Sequence, residues 1–166
     1  MKALVVYYSN SGTTRTVATR IAETLGADME EIVERKHRAS LLDAQGKPAG
    51  GLGMARAAMS AALGFGSSIE KGKSNPADYD LVVVGTPVWV GSLVPAVRSY
   101  LKHNRKGIKS VAMFCTCGQV EKLKAFKQMA GLVGQEPRAT MAVSADDVKA
   151  GAFDEAVRDF AAGLAR

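Results

Sequence analysis

Four nearly uninterrupted apolar runs constrain this chain more than any other feature: Lys2–Tyr8, Leu81–Thr86, Ser110–Cys115 and Ala139–Val143. A strand with one wet face alternates apolar and polar residues, whereas a strand covered on both faces reads as a continuous run. A fifth run, Ala27–Val33, is interrupted by acidic residues and reads as an edge strand. Helical stripes fill the gaps. Val17, Ile21 and Leu25 share one face, with Gly26 as the stop. Val94, Val97 and Leu101 form the next stripe, with Ser92 as a candidate N-cap and Pro95 in the tolerant first turn. Leu123, Phe126, Ala130 and Val133 make a third, and Phe153, Val157, Phe160 and Leu164 the last. Alternating strands and helices imply an α/β fold with a mostly parallel sheet and helices on both faces.

The 166 residues suffice for one domain, 1–166, with a sizeable core. One connection is abnormal. Val33 and Leu81 are separated by far more chain than a crossover needs. Its middle, GGLGMARAAMSAALGFG, is glycine-bounded and rich in alanine and methionine. Met54–Leu63 reads as the crossover helix, and Glu34–Gly53 as a long excursion within the unusual region 34–75. Excursions of this length are usually functional or mobile. An exposed apolar side on Met54–Leu63 would offer a homodimer contact.

A hydrophobic fraction of 47% and a charged fraction of 23% fit a globular protein rather than a disordered one. No apolar run reaches membrane-span length, and SNSGTT cuts short the stretch after Lys2 that a signal peptide would need. The expectation is a soluble, cytoplasmic protein with its two cysteines reduced. The net charge of +6 is concentrated in Arg35–Lys36–His37–Arg38 and in Lys102, His103, Arg105, Lys106 and Lys109. Solvated surface explains both clusters; the functional alternative is attraction to acidic partners, phosphorylated ligands or anionic surfaces. Few aromatics lie among these charges and no nucleic-acid motif is present, so nucleic acid is not an expected partner.

The stretch Ser9-Asn10-Ser11-Gly12-Thr13-Thr14 joins the first strand to the first helix. Such a turn presents unpaired backbone N–H groups at the positive end of the helix dipole. Glycine permits close approach, hydroxyls add donors, and the combination suits a phosphate. Capping alone explains one hydroxyl, not five polar side chains around Gly12. Nucleoside triphosphate chemistry is disfavoured because GxxxxGK[ST] is missing. The dinucleotide pattern GxGxxG fails because Gly51-Leu52-Gly53 is followed by Arg56 at the third glycine position. A phosphatase loop fails because Glu121 and Leu123 stand where its arginine would follow Cys115 or Cys117. A phosphorylatable receiver domain would carry acidic residues where this chain has Tyr8-Ser9 and Gly85-Thr86. No metal-ligating or catalytic set stands out. A single phosphate monoester fits the turn best.

Ligands of open parallel sheets bind beyond the strands' carboxyl ends. The turn therefore belongs with TPVWVGS after the third run and CTCGQ after the fourth. Trp89, the sole tryptophan, lies between Pro87 and Gly91 and reads as a loop residue at that edge. A phosphate turn, an aromatic and two flexible loops suit a flat ring carrying one phosphate.

These three stretches resemble the flavodoxin family. Ser9–Thr14 is similar to its phosphate loop, [ST]-x-[ST]-G-x-[ST]; VVVGTPVWVGSLVPAVRSYL to its third strand, second flavin loop and next helix; VAMFCTCGQ to its fourth strand and third flavin loop. The resemblance implies a three-layer sandwich with a five-stranded parallel sheet in the order 2-1-3-4-5, binding FMN noncovalently. It implies that Ser9, Asn10, Ser11, Gly12, Thr13 and Thr14 hold the FMN phosphate. Thr86, Pro87, Val88, Trp89, Val90 and Gly91 would line one side of the isoalloxazine, and Cys115, Thr116, Cys117 and Gly118 its other side or pyrimidine edge.

Two features depart from that family. Typical members are strongly acidic and this chain is basic, so its partners should differ. CTCGQVEKL lacks the tyrosine that many members place over the ring, leaving one ring face open unless the excursion covers it. A Cys115–Cys117 disulfide would be strained; two small residues that let the loop approach the ring is the simpler reading. The favoured function is an FMN-bearing electron-transfer carrier, serving a redox partner protein or a small-molecule electron donor or acceptor. An FMN-dependent NAD(P)H or quinone oxidoreductase is the alternative, so whether the protein is an enzyme stays open.

Overall fold

The computed structural model describes residues 1–35, 66–89, 91–117 and 122–164. The sheet has strands β1 (Ala3–Tyr7), β2 (Asp28–Glu31), β3 (Leu81–Trp89), β4 (Ser92–Leu93), β5 (Val111–Cys117) and β6 (Thr140–Ser144). The α-helices among the described residues are α1 (Thr13–Leu25), α2 (Pro95–Asn104), α3 (Lys122–Val133), α4 (Ala145–Ala150) and α5 (Asp154–Leu164). Five strands run parallel in the order β2-β1-β3-β5-β6, and β4 pairs antiparallel with the end of β3. With that short hairpin set aside, this is the expected 2-1-3-4-5 order.

The continuous apolar runs follow from the two helical layers. Leu4, Val6, Val82, Val84 and Met113 pack with Val97 and Leu101 of α2 and Met129 and Val133 of α3. Their strand neighbours Ala3, Val5, Leu81, Val83 and Phe114 pack on the other face with Val17 and Ile21 of α1 and Val157, Phe160 and Leu164 of α5. Alternate side chains point to opposite faces, so a strand between two helical layers needs an apolar residue at every position. Gly85 faces Phe114 so closely that a Cβ would collide with the ring. The chain uses glycine there to seat a large aromatic. β2 is an edge strand, as expected, and Val33 just beyond it is 40% exposed.

Several boundaries differ from expectation, β2 being shorter than the run Ala27–Val33. β3 runs on through Pro87, Val88 and Trp89, and β5 through Thr116 and Cys117. Trp89 is thus a strand residue, paired with Ser92 across a turn in which Gly91 adopts φ 66°. Ser92 is consequently buried in β4 and does not cap α2. Val94 stands at the cap with no side-chain bond, and Pro95 at the first helical position removes one N–H that would otherwise need a partner. Helix α1 ends at Gly26 in the left-handed conformation, as its position predicts.

The Met54–Leu63 helix and most of the Glu34–Gly53 excursion, with Lys36, His37 and Arg38, lie outside the described residues, as does the Leu123 side chain. The flanks of the region run side by side. Glu34 bridges Ile69 antiparallel, Arg35 N–H donates to Ser68 O at 3.0 Å, and Glu70 N–H donates to Val33 O at 2.8 Å. The Glu30 carboxylate then accepts from the N–H groups of Lys73 and Ser74 at 3.0 and 2.7 Å, holding the returning chain beside β2. Among the described residues, no helix is long and apolar enough to cross a membrane.

Candidate functional site

Parallel pairing brings the carboxyl ends of β1, β3 and β5 to one edge. Tyr7 pairs with Gly85, Thr86 with Cys115, and Pro87 with Thr116. Ser9–Thr14, Thr86–Trp89 with Gly91, and Cys115–Cys117 therefore share that edge. Val90 and Gly118 lie outside the described residues.

In the first turn, the Ser9 hydroxyl accepts from the N–H groups of Gly12 and Arg15 at 3.1 and 3.3 Å. Gly12 sits at the helix N-cap with φ 91° and ψ −20°, where an L side chain would be strained. Thr16 N–H makes the first intrahelical bond, to Gly12 O. The N–H groups of Thr13 and Thr14 find no acceptor among the described residues. They stand at the positive end of the α1 dipole. Asn10 and Ser11 are exposed, and the Ser11 and Thr13 hydroxyls are 3.2 Å apart. Chain neighbours aside, no atom of the described residues lies within 4 Å of a Cβ built on Gly12, so the turn is open in front. Thr14 differs from its neighbours. Its hydroxyl is buried, 1% exposed, and lies 2.8 Å from that of Thr116, tying the turn to β5.

On β3, the buried Thr86 hydroxyl donates to Pro87 O at 2.8 Å, whereas Pro87, Val88 and Trp89 are half-buried. Trp89 meets Tyr8 edge to face, with ring centroids 6.1 Å apart and planes at 81°. The Tyr8 hydroxyl donates to Glu34 Oε2 at 3.2 Å. On β5, Cys115 and Thr116 are buried and Cys117 is half-buried. Neither cysteine forms a disulfide. They occupy alternate positions of one strand, separated by about 7 Å of rise. A disulfide needs Cβ atoms about 4 Å apart, so the strand geometry forbids the bond and agrees with the simpler reading of two small residues.

A cavity of about 320 Å3 adjoins the first turn, lined by Tyr8, Ser9, Asn10, Arg15 and the stretch from Glu31 to Glu34. At its rim Arg15 Nη2 meets Glu31 Oε2 at 2.5 Å. Burial, then the charge of Glu31, raises the pKa of Tyr7, against an opposing pull from Arg15. A larger cavity of about 490 Å3 follows the outer side of β2 from Asp28 and Tyr79 to Val33. It runs the length of β2 and shares Glu31, Ile32 and Val33 with the first cavity.

Sequence reasoning overlooked Tyr8, Glu34 and the Arg15–Glu31 pair. An aromatic directly before the turn was a readable signal for Tyr8. Glu34 carries none, because its partner is distant in the chain.

A sequence model described as flavodoxin matches residues 2–138. No curated protein matches the sequence. Among solved structures, a flavoprotein from Lactobacillus acidophilus in complex with FMN aligns with TM-score 0.71 and 21% identity, over 90% of this chain and 96% of that one. A flavoprotein from Bacteroides eggerthii aligns with TM-score 0.71 and 21% identity, over 93% and 97%. Oxidised flavodoxin 1 from Bacillus cereus aligns with TM-score 0.54 and 14% identity, over 100% and 99%. At these identities the likeness is one of fold.

Proposed function

The chain belongs to the flavodoxin family, and on that premise we propose that it binds FMN at the carboxyl edge of its sheet and acts as an electron-transfer carrier. The observation that carries this reading is the first turn. Two helix-terminal N–H groups without acceptors among the described residues, an open glycine and exposed polar side chains fit a phosphate monoester. Ser9, Asn10, Ser11, Gly12, Thr13 and Thr14 would hold the phosphate. Ser9 and Thr14 contribute chiefly by shaping the turn, since their hydroxyls already bond within it or to β5. Thr86, Pro87, Val88, Trp89, Val90 and Gly91 would line one side of the ring, and Cys115, Thr116, Cys117 and Gly118 the other. The FMN complex of the Lactobacillus acidophilus flavoprotein supports the choice of cofactor.

Bound FMN supplies the electron-transfer chemistry. The protein's part is to anchor the phosphate with amides and a helix dipole, orient the ring against Trp89, and limit water at the buried Thr86 and Cys115. With a net charge of +6, the carrier would be steered toward acidic redox partners.

One observation favours a second reading, an FMN-dependent NAD(P)H or quinone oxidoreductase. The described residues at the end of β5 are all small and would leave room for a second substrate. Visible absorbance of the purified protein, followed by FMN titration on Trp89 fluorescence, tests cofactor binding. Stoichiometric quenching supports it, and a colourless protein unresponsive to FMN at micromolar concentration refutes it. Oxidation of NADPH by the holoprotein with a quinone present, above the rate of free FMN, would replace carrier with enzyme.

A further inference from the structure

Trp89 is the largest flat surface at the strand edge, and its backbone is fixed by pairing with Ser92. Its side chain has a second constraint. Tyr8, only 7% exposed, places its ring edge-to-face with Trp89 at 6.1 Å. Tyr8 is itself held at both ends. Its N–H donates to Gly85 O at 3.2 Å, and its hydroxyl donates to Glu34 Oε2 at 3.2 Å. It directly precedes Ser9, the residue that organises the first turn. One aromatic side chain thus touches the tryptophan at the end of β3 while its backbone leads into the first turn.

From this geometry we infer that Tyr8 is a positioning residue, which sets the plane of Trp89 and couples it to the phosphate turn, with Glu34 as its anchor. Edge-to-face pairs have a preferred geometry beyond area burial, so Tyr8 restricts the torsions of a half-buried Trp89. A ring bound against Trp89 then meets a surface already ordered, and less freedom is lost on binding. The consequence for FMN rests on the function proposed above; the pairing itself does not.

The sole tryptophan makes the inference directly measurable. The test compares the wild type, Tyr8→Leu, Tyr8→Phe and Glu34→Gln by near-ultraviolet circular dichroism of the apoprotein, FMN titration and the potential of bound flavin. Tyr8→Leu should lose most of the Trp89 dichroic band while the far-ultraviolet spectrum stays unchanged. It should weaken FMN binding by about three- to tenfold, the worth of an aromatic pair, and shift the flavin potential. Tyr8→Phe keeps the ring and should restore the band and most of the affinity. Glu34→Gln keeps a side-chain oxygen that can accept from the Tyr8 hydroxyl and should fall between the wild type and Tyr8→Phe in band intensity. If Tyr8→Leu does not fold, Tyr8→Met, unbranched and ringless, carries the same comparison. An unchanged tryptophan band together with unchanged FMN affinity in the ringless variant would overturn the inference. A wild type that ignores FMN would sink the flavin reading alone, and the dichroic band would still decide whether Tyr8 positions Trp89.

Discussion

The buried hydroxyl pair Thr14–Thr116 offers the sharpest test of how the phosphate turn is attached to the sheet. The two oxygens are 2.8 Å apart, with Thr14 1% and Thr116 5% exposed. Replacing either residue with valine keeps the shape and leaves the other hydroxyl buried without this partner. A buried polar group stripped of its partner costs about 1–3 kcal/mol, whereas replacing both partners with apolar groups of the same shape is nearly neutral. Thr14→Val and Thr116→Val should therefore each destabilise by about 1–2 kcal/mol, or about 3–8 °C in Tm for a chain of this size. The double variant should lie within about 1 kcal/mol of wild type, giving a coupling of about 1–3 kcal/mol in a double-mutant cycle. Urea unfolding at equilibrium, with unchanged m-values, is the assay. FMN affinity should change less than about threefold in Thr14→Val, because the backbone N–H offered to the phosphate survives and only about 0.7 kcal/mol is at stake. A double variant as unstable as the two singles added together would refute the pairing. A large affinity loss with unchanged stability would mean that the Thr14 hydroxyl serves the ligand rather than β5.

Ser9→Ala removes the acceptor for Gly12 and Arg15 N–H; stability should fall by about 1 kcal/mol, and FMN should bind more weakly by titration calorimetry. Gly85→Ala drives a Cβ into the Phe114 ring and should cost about 1–3 kcal/mol in urea unfolding; adding Phe114→Leu should restore part of the loss. Tyr100 is 5% exposed, and its hydroxyl has no protein partner among the described residues. Tyr100→Phe should therefore be neutral or stabilising by up to about 1–2 kcal/mol in thermal melts, and a drop in Tm would show a bond at that hydroxyl. Burial, with smaller contributions from Glu30 and Tyr79, holds its pKa well above the ordinary tyrosine value of 10.0. The neutral form is thus favoured by folding. This stability is fully present below pH 10 and is lost as pH rises above 10, where the unfolded chain ionises first. Tyr7, raised mainly by burial and then by Glu31, acts in the same direction. Tyr100→Phe should flatten the alkaline loss of stability, and an unchanged slope would count against it.

By itself the sequence determined the layers, the order of elements and the edge at which ligands are expected. Leu4, Val5 and Val6 can all be apolar only where both faces are covered. Gly26 and Pro95 act through their own backbone geometry, so their effects on helix ends were readable locally. Only the tertiary structure decided which hydroxyls of SNSGTT face outward. Ser9 turns back on its own loop because two N–H groups converge on it, and Thr14 turns inward because β5 presents Thr116. It also made Trp89 a strand residue, since pairing with Ser92 satisfies backbone groups that a loop would leave to solvent. The Tyr8–Trp89 contact and the Glu34 anchor join residues far apart in the chain. Local propensity can specify a strand end or a helix cap. It carries no information about a partner that arrives only when the sheet closes.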